Sequence, residues 1–83
     1  MSEEAALLLV LLRMTRLHRR ASLDALVARV LVVTGAAIEP RVVRRILGRL
    51  ERSKFITTED GYPRLTLMGL AVAAAIENRQ RAA

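Results

Sequence analysis

The sequence contains no cysteine, which excludes disulfides, thiolate metal sites and a cysteine nucleophile. It has one histidine, His18; a metal site needs several suitable ligands, and none cluster near it along the chain. The carboxylates are scattered, mostly at expected helix starts or a hairpin tip, so no paired acid–base constellation arises. Ser2, Ser22 and Ser53 have no base partner in register, and there is no glycine-rich phosphate loop. These absences point away from an enzyme and leave no cofactor to expect. The apolar run Ala5–Leu12 is far short of the ~20 residues that span a bilayer. Glu3 and Glu4 precede it where a signal peptide would carry basic residues. A cytoplasmic protein with no membrane partner is the expectation. No repeat, low-complexity tract or interdomain linker interrupts the chain.

What remains is short, apolar and basic. A chain of 83 residues accommodates one domain around one small core. At 53% hydrophobic and 27% charged it is no disordered tail. So much apolar surface on so short a chain leads us to expect that a second copy covers part of it. The formal net charge is +6, from 14 Lys and Arg against 8 Asp and Glu. That favours an anionic partner, with nucleic acid ahead of an acidic protein or a membrane surface. Lys54 is the only lysine. Arginine suits bidentate contacts to phosphate and guanine, although codon bias in a GC-rich genome would produce the same preference.

The most informative stretch is Pro40–Ile56, PRVVRRILGRLERSKFI. At about 100° per residue, Val43, Ile46, Leu47 and Leu50 fall on one side of a helix. Arg41, Arg45 and Arg52 fall near the opposite side, with Arg44 and Arg49 on the flanks. Gly48 shares the outer face, where glycine costs a helix roughly 0.5–1 kcal/mol relative to alanine. One reason to keep it is close approach of something large to the backbone. The pattern is that of a recognition helix in a small DNA-binding domain.

Around it, the expected elements follow in order. A first helix spans about residues 2–20, with Ser2 as N-cap and Glu3 and Glu4 in the first turn. Its apolar residues cover more than one face, which suggests packing on its own domain and on a partner chain; a central core helix is the alternative. The cluster Arg13, Arg16, His18, Arg19 and Arg20 suits the negative end of the helix dipole. A second helix spans 22–33, capped by Ser22, with an inward stripe of Leu23, Leu26, Val27, Val30 and Leu31 and with Gly35 left-handed at its end. Pro40 fits the first position of the third helix, 40–53, after a weak cap at Glu39. Ile38 is placed to staple onto Val43. Two helices joined by GAAIE match a helix-turn-helix. A hairpin follows over 55–65 about Asp60-Gly61, leaning on the helices through Phe55, Ile56, Leu65 and Leu67. Thr66 then caps a last helix over 66–79, and Gln80 to Ala83 are expected to fray.

Val43, Leu47, Leu50 and Glu51, then Ile56, the Asp60-Gly61 turn, and Leu65-Thr66 followed by Gly69 together resemble the winged helix-turn-helix domain. The likeness is closest to small prokaryotic regulators of the MarR and PadR types, and covers roughly Leu23 to Asn78. It agrees with the reading of the elements above: a mainly α fold with a small β-hairpin, one domain over residues 1–83, in the order helix, helix, helix, strand, strand, helix. Two departures stand out. Lys54 occupies the left-handed exit from the recognition helix where the family usually has glycine, which costs strain or alters the exit. The wing is short; Arg64 is its only cation, and Glu59 and Asp60 lie at its tip.

The resemblance implies that Arg41, Arg44, Arg45 and Gly48 enter the major groove of double-stranded DNA, while Arg49 and Arg52 meet phosphates and Arg64 serves the wing. Each arginine–guanine pair is worth roughly 1–3 kcal/mol of discrimination. A homodimeric transcriptional regulator is expected, its interface formed by Leu8, Leu11, Leu12, Leu70, Ala73 and Ile76 of the first and last helices. Two alternatives stay open: a winged-helix module docking on protein in a larger assembly, and an architectural protein that coats DNA without sequence preference. A solvated helix face with local ion pairs through Glu51 would also explain the arginines.

Overall fold

In the computed structural model, which describes residues 1–82, helix starts follow from local caps. Helix α1 covers Glu3–Arg16, and its N-cap Ser2 accepts a hydrogen bond from the Ala5 amide. Helix α2 covers Leu23–Thr34, capped in the same way by Ser22, and ends at Gly35 with φ 72°. Helix α3 covers Pro40–Arg52 with proline in its first turn. Strands β1, Ile56–Glu59, and β2, Tyr62–Leu65, pair antiparallel about Asp60 and Gly61. Both turn residues have positive φ, 52° and 81°, as a twist-matched two-residue hairpin turn requires. Helix α4 covers Leu67–Ala82. The fold is thus mainly helical with one hairpin, in the order α1-α2-α3-β1-β2-α4.

The ends of helices depart from expectation more than the starts. Helix α1 stops at Arg16 rather than near Arg20. His18 takes a left-handed conformation, φ 54°, and the Arg19 amide donates back to the Met14 carbonyl at 3.0 Å while that of His18 donates to Thr15. That bond pair closes a Schellman cap, here without glycine, which is why no breaker is visible in the sequence. Helix α3 ends in the same motif: the Phe55 amide reaches the Leu50 carbonyl at 2.9 Å, that of Lys54 reaches Glu51, and Lys54 has φ 64°. The chain therefore keeps the left-handed exit and accepts its strain in lysine. At the other end of the chain, helix α4 continues through Gln80–Ala82, where fraying was expected; Ala83 lies outside the described residues.

Helix α1 is the centre of the molecule. Ala6–Leu12 and Met14 are all buried, enclosed by α2, α3, α4 and β2. Around them lie Leu26 and Val30 of α2, Val43, Ile46 and Leu50 of α3, Ile38, Ile56 and Ala73. Leu8, Leu11, Leu12 and Ala73, expected at a dimer interface, are consumed in the chain's own core at 5% exposure or less. Leu70 and Ile76 lie half-buried against that core. The all-round apolar character of α1 has an internal explanation, because α4 supplies the second packing face with small residues. Two further expectations are corrected: Leu31 and Leu67, read as inward-facing, are 47% and 86% exposed. Arg16 grips the Glu77 carboxylate with two bonds, 2.7 and 2.9 Å, fastening the end of α1 to α4. That hydrogen bonding holds the Glu77 carboxyl below its ordinary range.

The exit of α3 is locked to the start of α4. The Thr66 hydroxyl donates to the Lys54 carbonyl at 2.6 Å and accepts from the Gly69 amide at 3.1 Å, while the Thr66 amide donates to the Phe55 carbonyl at 3.0 Å. Thr66 is thus helix cap and strap at once. A side chain on Gly69 would collide with the Phe55 backbone carbonyl, so this glycine is demanded by close approach of the two segments. Gly69→Ala is expected to cost about 3 kcal/mol by overpacking, measured as a lowered urea midpoint; an unchanged midpoint would refute the contact.

Candidate nucleic-acid interface

Helix α3 divides its side chains as its periodicity demands. Val43, Ile46 and Leu50 are buried and Leu47 half-buried, while Arg41, Arg44, Arg45, Arg49 and Arg52 are exposed. Arg41, Arg45, Gly48 and Arg52 fall within about 60° of one another around the helix axis, forming a band along the outer face. From Arg41 to Arg52 this band runs roughly 16 Å at 1.5 Å per residue, enough to cross a major groove about 12 Å wide.

The arginines differ in what they already touch. The Arg41 Nε–H donates to Glu39 at 2.8 Å. Arg44 lines a shallow cleft of about 230 Å³ with Ser22, Leu23, Gly61 and Tyr62, where the start of α2 meets the hairpin tip. Arg44, Arg45 and Arg52 have no ion-pair partner among the described residues. Arg49 turns to the first turn of α1, donating to Glu4 at 2.8 Å. Glu51 accepts from the Thr58 hydroxyl at 3.0 Å rather than from its neighbouring arginines. A solvated face laced by its own Glu51 is therefore not what the chain builds. On the hairpin, Arg64 pairs loosely with Glu59 at 3.4 Å, so its one cation is partly neutralised.

The structure thus sets Arg41, Arg44, Arg45, Gly48 and Arg52 along the outer side of α3, with Arg41 paired to the adjoining Glu39, while Arg49 on the flank pairs with Glu4 of α1 and Arg64 with Glu59 across the hairpin. It also adds residues that the helical pattern did not single out. Because α1 stops early, Arg19 and Arg20 leave the helix dipole and enter the α1–α2 loop. The Arg20 guanidinium sits over the Tyr62 ring, 5.2 Å from its centre, a cation–π distance that ties this loop to the hairpin. No local spacing announces a pair so far apart in sequence. Glu39 was legible only as a weak cap; it makes no capping bond and holds Arg41 instead.

Among the described residues there is no group of three His, Cys, Asp or Glu able to hold a metal ion, and no helix is long and apolar enough to cross a membrane. Compared with protein-family models, with curated proteins and with solved structures, the chain gives no significant match.

Gly48 is the most telling residue of the face. A Cβ built there would meet only the end of the Arg52 side chain, at an ordinary 3.5 Å. The fold does not require glycine at this position, unlike Gly69. Gly48→Ala should therefore stabilise the protein by about 0.5–1 kcal/mol in urea unfolding. Destabilisation would show instead that the glycine serves internal packing.

Proposed function

We propose that the chain is a winged helix-turn-helix DNA-binding protein, a transcriptional regulator of the cytoplasm that lays α3 in the major groove of double-stranded DNA. The observation that carries this is the outer face of α3: a band of arginines, of which Arg44, Arg45 and Arg52 have no acidic partner among the described residues, arranged about a glycine that the fold itself does not need. Arginine forks suit phosphate and guanine, and a bare backbone at Gly48 lets the groove wall come close. Arg41, Arg44 and Arg45 are assigned to the groove and Arg52 to phosphate. Arg49 and Arg64 would add phosphate contacts by leaving Glu4 and Glu59, a small cost because exposed ion pairs are worth about 0–1 kcal/mol.

The order α-α-α-β-β-α and the Thr66–Gly69 strap support a likeness to the MarR and PadR types. We keep the homodimer in the proposal, since one 13-residue helix spans few base pairs and two copies would read half-sites about 34 Å apart. With α1 enclosed, its leucines are not the pairing surface. The large apolar side chains still open on helices are Leu31 and Val32 of α2 and Leu67 and Met68 of α4. A protein-docking module would lack the α1 face on which it depended. The architectural alternative is favoured by the uniformly arginine character of the face.

Binding to random-sequence duplex DNA should weaken steeply as salt rises. In Arg41→Ala/Arg45→Ala, affinity should fall at least about tenfold, with a slope of log K against log salt shallower by roughly 1–2. Binding that the double variant leaves unchanged would contradict the assignment.

A further inference from the structure

The outer face of α3 offers almost one chemistry. Asparagine and glutamine, the side chains that pair with adenine, are absent from it, and its exposed cations are Arg41, Arg44, Arg45 and Arg52, with Arg49 on the flank turned to Glu4. Among these, Arg41 is distinguished by a buttress. Glu39, the residue immediately before the first helical position, accepts from the Arg41 Nε at 2.8 Å. The two terminal nitrogens, Nη1 and Nη2, have no hydrogen-bond partner among the described residues. Both side chains are well exposed, at 81% and 66%, so as a source of stability the pair is worth little. Its consequence is geometric: one edge of the guanidinium is held, and the fork of two N–H groups that remains matches the O6 and N7 acceptors of guanine. Arg41 also stands in the first turn of α3, the part of a recognition helix whose side chains reach base edges. Ordering a long side chain in advance removes rotamer freedom that binding would otherwise have to remove.

We propose that Arg41, oriented by Glu39, is a guanine-reading residue, so that the ligand is duplex DNA bearing guanine at a fixed position rather than any duplex. The proposal rests on the DNA-binding function above. Glu39 is a positioning residue, and its carboxylate weakens general attraction to phosphate while sharpening the choice of base.

The test is selection from duplexes with a randomised centre, near physiological salt, using the full chain as wild type, E39Q and R41K. The wild type should enrich guanine at one position. Replacing that guanine by adenine, or by 7-deazaguanine, which lacks the N7 acceptor, should weaken binding about tenfold. In R41K and E39Q this ratio should shrink to within about twofold, since lysine offers no fork and a neutral amide oxygen holds the arginine by a weaker bond than the carboxylate does. E39Q should at the same time bind unselected duplex more tightly, because a negative charge has left the surface. A merely structural role for Glu39 would weaken binding to every duplex alike. Equal binding of all sequences by the wild type, or an undiminished guanine ratio in R41K, would overturn the proposal while leaving DNA binding intact. Failure of the wild type to bind any duplex at low salt would overturn the DNA-binding function, and this inference with it.

Discussion

Everything in this molecule is arranged to enclose α1. Its stretch Ala6–Leu12 presents apolar side chains in every direction, and each large one kept from water contributes about 1.5–3 kcal/mol. No single neighbour can cover such a helix. The second and third helices, the hairpin's return strand and α4, with its buried Ala73, all pack against it. Helix α3 spends only one stripe on this task. Its opposite face is left with nothing of the chain to cover, and that is where the arginines stand.

Legibility in the sequence followed the range of the interaction. Ser2, Ser22, Pro40, Gly35, Thr66 and Asp60-Gly61 act within a few residues, and each marks its boundary where expected. The early end of α1 was hidden because His18 adopts a conformation usually signalled by glycine. The left-handed turn at Lys54 is hidden in the same way, since lysine rarely takes that conformation. The sequence leaves the enclosure of α1 open, because a helix apolar on all sides looks the same whether its second cover is another chain or another segment of its own. Leu67 reads as inward by composition, yet it opens the first turn of α4 at 86% exposure. On the candidate site, the arginine face of α3 was legible from periodicity alone. The acidic partners Glu4 and Glu59, the stacking of Arg20 on Tyr62 and the spare room at Gly48 needed three dimensions.

Arginine plays several parts here, and partners separate them. Arg16 is structural, bound twice to the mostly buried Glu77. Arg20 braces the hairpin through an aromatic ring. Arg49 is restrained by Glu4 at an exposed pair that salt or phosphate can compete away. Arg44, Arg45 and Arg52 are held by no acid. A net charge of +6 gives general attraction to polyanions; in the proposed function, the arginines without acidic partners focus it on one face of one helix.

The central claim is that this face is where DNA sits, and amide chemical-shift mapping of the labelled protein during titration with duplex DNA addresses it directly. The account predicts that the largest shifts fall on Arg41, Arg44, Arg45, Gly48 and Arg52, with smaller ones at the start of α2 and on the hairpin, while the exposed turns of α4 stay unmoved. Shifts concentrated on Leu67 and Met68 or on Leu31 and Val32, with α3 silent, would contradict it.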